Sequence, residues 1–140
     1  MRRNYRRLLF ISVLAAGLMC GCASTGQKTD HHSRCGEILA DSFCRNQPQK
    51  FIAPLADSAK KEFGEKEFNA SREKVCRQLG EPVEKTFAGK LQHPFFHIDL
   101  WKITFGRPDS NGKNIRQDAL FQVVYTTENG REKVVSFGFL

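Results

Sequence analysis

The chain has 140 residues, of which 40% are hydrophobic and 26% are charged, and its formal net charge is +7. This length suits one domain with a single hydrophobic core and is too short for several large domains. Beyond residue 21 the basic residues are spread along the chain and form no cluster interleaved with aromatic residues, so we expect no binding to nucleic acid.

The first 21 residues have the pattern of a secretory signal. Residues 1–7 carry four arginines and no acidic residue, and residues 8–19 form an apolar run of 12 residues. Such a run is too short to cross a hydrocarbon core, which needs about 20 residues. Without residues 1–21 the chain has 18 basic and 15 acidic residues, and its net charge falls to +3.

The segment Leu18-Met19-Cys20-Gly21-Cys22 resembles the lipobox of bacterial lipoproteins. Met19 stands where that family usually has leucine, and Cys20 stands where it has alanine or serine. Cys20 is the rival acceptor, but cleavage before it would place the bulky Met19 at the cut. The resemblance therefore implies cleavage after Gly21 and acylation of Cys22. Several acyl chains hold a protein at a membrane stably, whereas a single chain binds reversibly.

The residues that follow Cys22 indicate to which membrane a lipoprotein of this kind would be sorted. No aspartate follows it directly, and the sorting rule of the lipoprotein family then implies the outer membrane, with the domain facing the periplasm. The paired arginines before residue 8 also resemble a twin-arginine signal, which would be an alternative export route.

Residues 23–33 contain one alanine and no other apolar side chain, which is typical of a flexible tether. His31 and His32 lie close to Cys35, but this set lacks a fourth ligand and a fixed geometry for a metal ion. We therefore expect a solvated linker, no metal and no other cofactor. The predicted organisation is a signal peptide over 1–21, a lipidated cysteine and tether over 22–33, and one domain over 34–140.

Three helices are predicted in the first half of the domain, because apolar side chains recur there at helical spacing. Pro54 is expected to begin the second helix, since its fixed φ suits the first helical position. Asn69 is expected to cap the third helix. Gly80 and Pro82 together form a stop signal. The predicted ranges are 35–45, 54–63 and 70–79, with a break over 46–49.

Extended segments follow the helices. Asn129-Gly130 is the strongest short signal for a β-hairpin and predicts a two-residue turn that pairs Glu128 with Arg131. The four predicted strands cover residues 83–91, 95–105, 118–127 and 132–140.

Uninterrupted alternation from that turn predicts a hairpin with two apolar faces. The predicted cross-strand pairs are Val124 with Val135, Gln122 with Phe137 and Leu120 with Phe139 on one face, and Tyr125 with Val134, Val123 with Ser136 and Phe121 with Gly138 on the other. A half-exposed antiparallel sheet should have one polar face. The helices would cover one apolar face, and the other would need a curled edge, the tether, a second copy or a partner.

Helices followed by a four-stranded antiparallel meander resemble the cystatin-like, nuclear-transport-factor-like fold. The resemblance covers residues 35–140 and also includes Ala40-x-x-Phe43 and Leu79-Gly80-x-Pro82. It implies an α+β fold in which a curved sheet wraps a helix, with a pocket between them and dimers formed by the outer face. The glutamine-valine-glycine loop of the cystatin inhibitors is missing, so protease inhibition is not implied.

The second predicted strand carries the candidate pocket residues. His97, Asp99 and Trp101 alternate onto one face, and Tyr125 lies on a neighbouring strand. An acid–base pair beside an aromatic wall could line a ligand pocket. The alternative is structural: His97 and Asp99 satisfy each other or the backbone, and Trp101 fills the core. Because no nucleophile lies in a recognisable motif and no glycine-rich phosphate loop is found, we expect a protein that is not an enzyme.

Without residues 1–21, three cysteines remain besides the anchor Cys22. An exported chain meets an oxidising compartment, so a disulfide is an option. On one helix Cys35 and Cys44 would lie ~13 Å apart along the axis, too far to bridge. Cys76 could pair with Cys44 or with Cys35, and Cys44 with Cys76 is the candidate disulfide. The alternative is three reduced, buried cysteines.

These observations predict a lipid-anchored envelope protein without enzymatic activity. Its apolar sheet face would bind a second copy or another envelope protein. The alternative function is a small-ligand-binding or weakly catalytic cone with a pocket near His97, Asp99 and Trp101.

Overall fold

The computed structural model describes residues 31–140. The predicted signal peptide, the acylation site at Cys22 and most of the tether lie outside these residues. Within the described part of the chain, no helix is long and apolar enough to span a lipid bilayer.

The described residues form helices followed by one antiparallel sheet, which confirms the predicted α+β fold with a four-stranded meander. The strands are hydrogen-bonded in the order β1-β2-β3-β4. The helices are α1 (Arg34–Cys44), α2 (Pro48–Ile52), α3 (Asp57–Glu62) and α4 (Glu65–Leu79), and the strands are β1 (Glu81–Gln92), β2 (His97–Pro108), β3 (Asn114–Glu128) and β4 (Arg131–Phe139).

The segment between α1 and α4 differs from the prediction. Pro48, expected in a break, begins α2, and Pro54, expected to begin a helix, lies outside any helix. Leu55 forms a parallel bridge with Val134, where Ala56 N donates to Val134 O at 2.7 Å and Val134 N donates to Pro54 O at 3.0 Å. Pairing with the edge of β4 satisfies backbone groups that a proline-initiated helix would have satisfied locally.

The start of α4 also corrects the prediction, because the helix begins at Glu65 and Asn69 lies within it. Gly64 is the N-cap, and its N–H donates to the Glu67 carboxylate at 3.0 Å, which is half of a capping box. Bonds from the Glu67 and Gly64 backbone N–H groups lower the pKa of Glu67. The predicted stop is confirmed: Gly80 has φ +96° and directly follows the helix.

The β3–β4 turn matches the prediction. Asn129 and Gly130 have φ of 50° and 73°, and Glu128 lies opposite Arg131. Positive φ at both central residues gives the turn the twist that adjacent strands require.

A β-bulge then changes the register of β4. Tyr125 lies opposite Val134 as predicted, but Val124 lies opposite Ser136 and not opposite Val135. A one-residue shift moves every later side chain to the other face of the strand. The prediction that the aromatic rings of this hairpin are divided between its two faces is therefore wrong. The bulge brings Phe137 and Phe139 to the core face, where Phe121 already lies.

The hydrophobic core lies between the helices and this inner face of the sheet. The opposite face keeps a smaller, aliphatic set of side chains, because cross-strand partners share a face. Leu91 is 50% exposed and Leu120 is 40% exposed. The set consists of Leu91, Ile98, Leu100, Leu120 and Val124.

Candidate functional site

Asp99, a predicted pocket residue, is fully buried and holds the start of α1. Its carboxylate accepts hydrogen bonds from the Ser33 backbone N–H at 2.7 Å and from the Ser33 hydroxyl at 2.6 Å. Ser33 is the N-cap of α1, and its hydroxyl oxygen also accepts from the Gly36 N–H at 2.9 Å. A carboxylate at a helix N-terminus is stabilised by the helix dipole. Asp99 thus fastens α1 to β2.

Trp101 and Tyr125 pack into the interior beside Asp99. Trp101 is 3% exposed, and its ring lies 5.3 Å from that of Phe87 and 5.0 Å from that of His32. Burial and the nearby Asp99 charge raise the pKa of Tyr125 to about 12, so its hydroxyl stays protonated. These contacts match the structural alternative for these residues.

His97 differs from the other three predicted residues because it is exposed at the start of β2. Its ring lies 5.2 Å from that of Tyr125. The structure therefore brings Asp99, Trp101 and Tyr125 together inside the domain and leaves His97 at its surface.

All three cysteines of the described residues are free thiols. Burial raises the pKa of Cys35 to about 12 and that of Cys44 to about 11, and burial is also the main cause that raises the pKa of Cys76. Because the thiolate is the reactive form, these thiols are poor nucleophiles at neutral pH. Cys76 is close enough to Cys44 to influence its titration. The Cys44–Cys76 disulfide remains a prediction.

The most ligand-like feature is a cavity that sequence reasoning missed. It has a volume of about 470 Å³ and opens between α4 and the β4 side of the sheet. Small-molecule pockets usually have volumes of about 300–1,000 Å³ and apolar or aromatic linings. We call it the phenylalanine cavity, after the seven rings that line it: Phe43, Phe51, Phe63, Phe68, Phe121, Phe137 and Phe139.

The rings of this cavity form one contact network. The Phe51 ring lies 4.9 Å from that of Phe68 and 4.9 Å from that of Phe137, and Phe137 also lies 4.8 Å from Phe63. Tilted and edge-to-face pairs at these distances stabilise an aromatic cluster beyond the burial of its area. The rings come from α1, α2 and α4, from the residue that ends α3, and from two strands. The abundance of phenylalanine, 12 in the chain, was the one signal in the sequence.

One stripe of α4 forms the rim of the cavity. Ser71, Lys74, Val75 and Gln78 follow the i, i+3, i+4, i+7 spacing that places side chains on one helix face. Arg72 fixes this helix beside α1, because its Nε donates to the Phe43 carbonyl at 3.0 Å. The lining residues include one lysine and no carboxylate. The arrangement suits an apolar body with a polar or anionic head at the rim.

No group of three or more His, Cys, Asp or Glu side chains in residues 31–140 could hold a metal ion.

The chain matches no protein-family model and no curated protein. Among solved structures, a SEC-C motif-containing protein from Rhodopseudomonas palustris is similar with a TM-score of 0.50 and 10% identity, covering 74% of this chain and 87% of that one. A structure described as a calcium/calmodulin dependent protein kinase II association domain from Xanthomonas campestris has a TM-score of 0.46 and 16% identity, covering 80% and 89%. The intermembrane space region of the chloroplast protein ARC6 has a TM-score of 0.39 and 9% identity, covering 74% and 86%. Likeness at these identities concerns the fold alone.

Proposed function

We propose that this protein is a lipid-anchored envelope protein without enzymatic activity, whose domain binds a small apolar molecule with an anionic head group in the phenylalanine cavity. The anchor is Cys22, and the destination is the outer membrane facing the periplasm. The observation that supports binding of such a ligand is the 470 Å³ cavity, which seven phenylalanine rings line and which has a lysine at its rim.

The lining favours an apolar body over a sugar or a nucleotide. Phe43, Phe51 and Phe68 are at most 4% exposed, and the rings offer faces and edges without hydrogen-bonding groups. An apolar ligand enters such a surface with little loss of hydrogen bonds, whereas a polar ligand would leave its own groups unpaired.

The rim favours an anionic head group. The Lys74 ammonium is exposed at the cavity mouth, and the neighbouring Ser71 hydroxyl and Gln78 amide can donate hydrogen bonds. A pairing this exposed contributes about 0.2–1 kcal/mol, so it orients the ligand more than it tightens binding.

Titration with dodecanoate, followed by calorimetry, tests the proposal. The variant Ser71→Trp places a large ring at the mouth from an exposed position, so it should weaken binding without damage to the core. Ala70→Trp is the matched control, since Ala70 is exposed on the same helix and does not line the cavity. We expect at least roughly tenfold weaker binding for the first variant and wild-type binding for the second.

Lys74→Gln tests the head group. It should weaken dodecanoate binding by roughly twofold to fivefold and leave the binding of neutral dodecanol unchanged. Lys66→Gln, on the same helix but away from the cavity, should change neither. Equal dodecanoate affinity in wild type and Ser71→Trp would contradict the cavity as the site.

The aliphatic outer sheet face supports a second candidate function, self-association. Its exposed members include Leu91 and Leu120. Light scattering of the acylation-deficient Cys22→Ser chain over a concentration series would detect a dimer, and Leu120→Lys should abolish it. A monomer at all concentrations would remove this candidate. The aromatic residues Phe121, Tyr125, Phe137 and Phe139 face the core and are therefore not part of this outer face.

A further inference from the structure

The tip of the β1–β2 hairpin exposes apolar side chains. Phe95 is 79% exposed, the largest value among the large hydrophobic residues of the described chain, and Leu91 at the end of β1 is 50% exposed. We call residues 91–96 the hairpin tip. A phenylalanine with this exposure is a candidate contact with an apolar phase outside the domain.

The hairpin tip has an ordered conformation. The His93 ring stacks on that of Phe96 with centroids 4.1 Å apart and an interplanar angle of 10°. The Phe95 backbone N–H donates to His93 Nδ1 at 3.3 Å. The turn thus presents Phe95 outward from a fixed base.

The described part of the chain begins beside β2, near the residues that lead to this tip. Ser33, the first buried residue, is bonded to Asp99, and His32 packs on Trp101. Asp99 is four residues from Phe95, so the two Cα atoms lie at most roughly 14 Å apart. The hairpin tip is consequently close to the point where the tether starts.

The charge of the β1–β2 hairpin itself suits a phospholipid surface. Residues 86–98 contain Lys90, His93 and His97 and no acidic residue. A lysine near an anionic lipid surface is attracted to it, while a carboxylate there would be repelled. An aromatic side chain is well placed at the level of the lipid head groups.

We propose that the hairpin tip inserts Phe95 into the interfacial region of the membrane that carries the lipid anchor, so that the domain rests on the bilayer with its β1–β2 hairpin downward. This inference rests on the proposed acylation of Cys22. The chain from Cys22 to Ser33 spans at most roughly 40 Å when fully extended, so an acylated Cys22 keeps the tip within reach of the bilayer and at high effective concentration.

The test uses the full acylated chain reconstituted into vesicles of phosphatidylcholine and phosphatidylglycerol whose acyl chains carry bromine, which quenches tryptophan by contact. Phe95→Trp reports on the tip. Ile115→Trp is the matched control, because Ile115 is 40% exposed and pairs with Arg107 at the opposite end of the sheet. Trp101 is common to both variants, and its signal is subtracted with the wild-type chain. Flotation of the vesicles measures anchoring separately.

We expect bromolipid to quench the tryptophan introduced at position 95 at least roughly twice as strongly as the one at position 115, with a blue-shifted emission at position 95. If the chains float with the vesicles but the two tryptophans are quenched equally, the insertion of the tip is overturned, while the proposed lipid anchor is not. The tip would then be a surface for another protein. If the chains carry no acyl group and do not float with the vesicles, the proposed acylation of Cys22 is refuted, and this inference with it.

Discussion

Replacement of Asp99 by alanine should be among the most costly single substitutions in this domain. The Asp99 carboxylate is fully buried and accepts two short hydrogen bonds from Ser33, at 2.7 and 2.6 Å. Its third contact, with the Tyr125 hydroxyl, is 3.5 Å long and contributes little. Alanine would leave two buried donors of Ser33 without an acceptor and would free the first turn of α1 from the sheet.

The expected loss of unfolding free energy in Asp99→Ala follows from these hydrogen bonds. A hydrogen bond to a charged group contributes about 1.5–3 kcal/mol, so two of them give about 3–6 kcal/mol. Some of this is regained if water enters the space left by the side chain, which brings the expected loss of unfolding free energy to about 3–5 kcal/mol. Small domains are stable by about 5–15 kcal/mol, so the variant should fold only marginally or with a greatly lowered urea midpoint.

Urea unfolding of the acylation-deficient Cys22→Ser chain measures this loss, with the emission of Trp101, the only tryptophan in the chain, as the signal. Asp109→Ala is the matched control. Asp109 also accepts two backbone N–H bonds, each 2.8 Å long, but it lies in the solvent-facing β2–β3 loop. We expect it to cost about 1 kcal/mol or less. Equal losses for Asp99→Ala and Asp109→Ala would refute the role of Asp99 as a buried fastening of α1.

Three further substitutions or conditions test other features of the structure. Gly36→Ala should destabilise α1 by about 1–3 kcal/mol, although alanine normally favours a helix, because the new Cβ would lie 2.8 Å from Asp99 Oδ2; thermal unfolding measures it. Gly80→Ala should cost at least about 2 kcal/mol in urea unfolding, since φ is +96° and the Cβ would lie 2.3 Å from the Gly106 carbonyl oxygen. Iodoacetamide should alkylate the native Cys35 thiol roughly a thousandfold more slowly than the urea-unfolded thiol at pH 8, as mass spectrometry would show, because burial raises its pKa from 9.0 to about 12.

Each of these predictions has a control or a contrary outcome. Gly138→Ala should be tolerated, because nothing lies within 4 Å of its added Cβ, and an equally tolerated Gly36→Ala would mean that α1 packs less closely on β2. A Gly80→Ala variant with wild-type stability would contradict the close approach to Gly106. Rapid alkylation of native Cys35 would show that the helix opens often at its N-terminus.

The raised pKa of Cys35 also predicts how stability depends on pH. The folded pKa lies above the unfolded value of 9.0, so the unfolded chain loses this proton first. The contribution is complete below about pH 9 and is lost as pH rises toward 12. Cys35→Ala should flatten this part of the pH profile, which urea midpoints at pH 7 to 11 would show; an unchanged profile would assign the effect to other groups such as Tyr125.

The amino-acid sequence by itself determined the features that depend on neighbouring residues. Gly80 ends α4 and Asn129-Gly130 makes the hairpin turn, because these residues favour the positive φ that each position needs. Alternating and helical spacing gave the order of helices and strands. These signals act within a few residues, so the sequence is sufficient for them.

Only the tertiary structure decided the features that join distant residues. The bulge after Val134 places Phe137 and Phe139 in the core, because burial of the rings outweighs uninterrupted pairing of the strand. Asp99 meets Ser33 across 66 residues, which turns a candidate pocket residue into a fastening of α1. The phenylalanine cavity is built from six segments of the chain, and its volume depends on how they pack. No local sequence pattern encodes contacts between residues that lie this far apart in the chain. The sequence could therefore indicate candidate residues but could not show which of them are in contact.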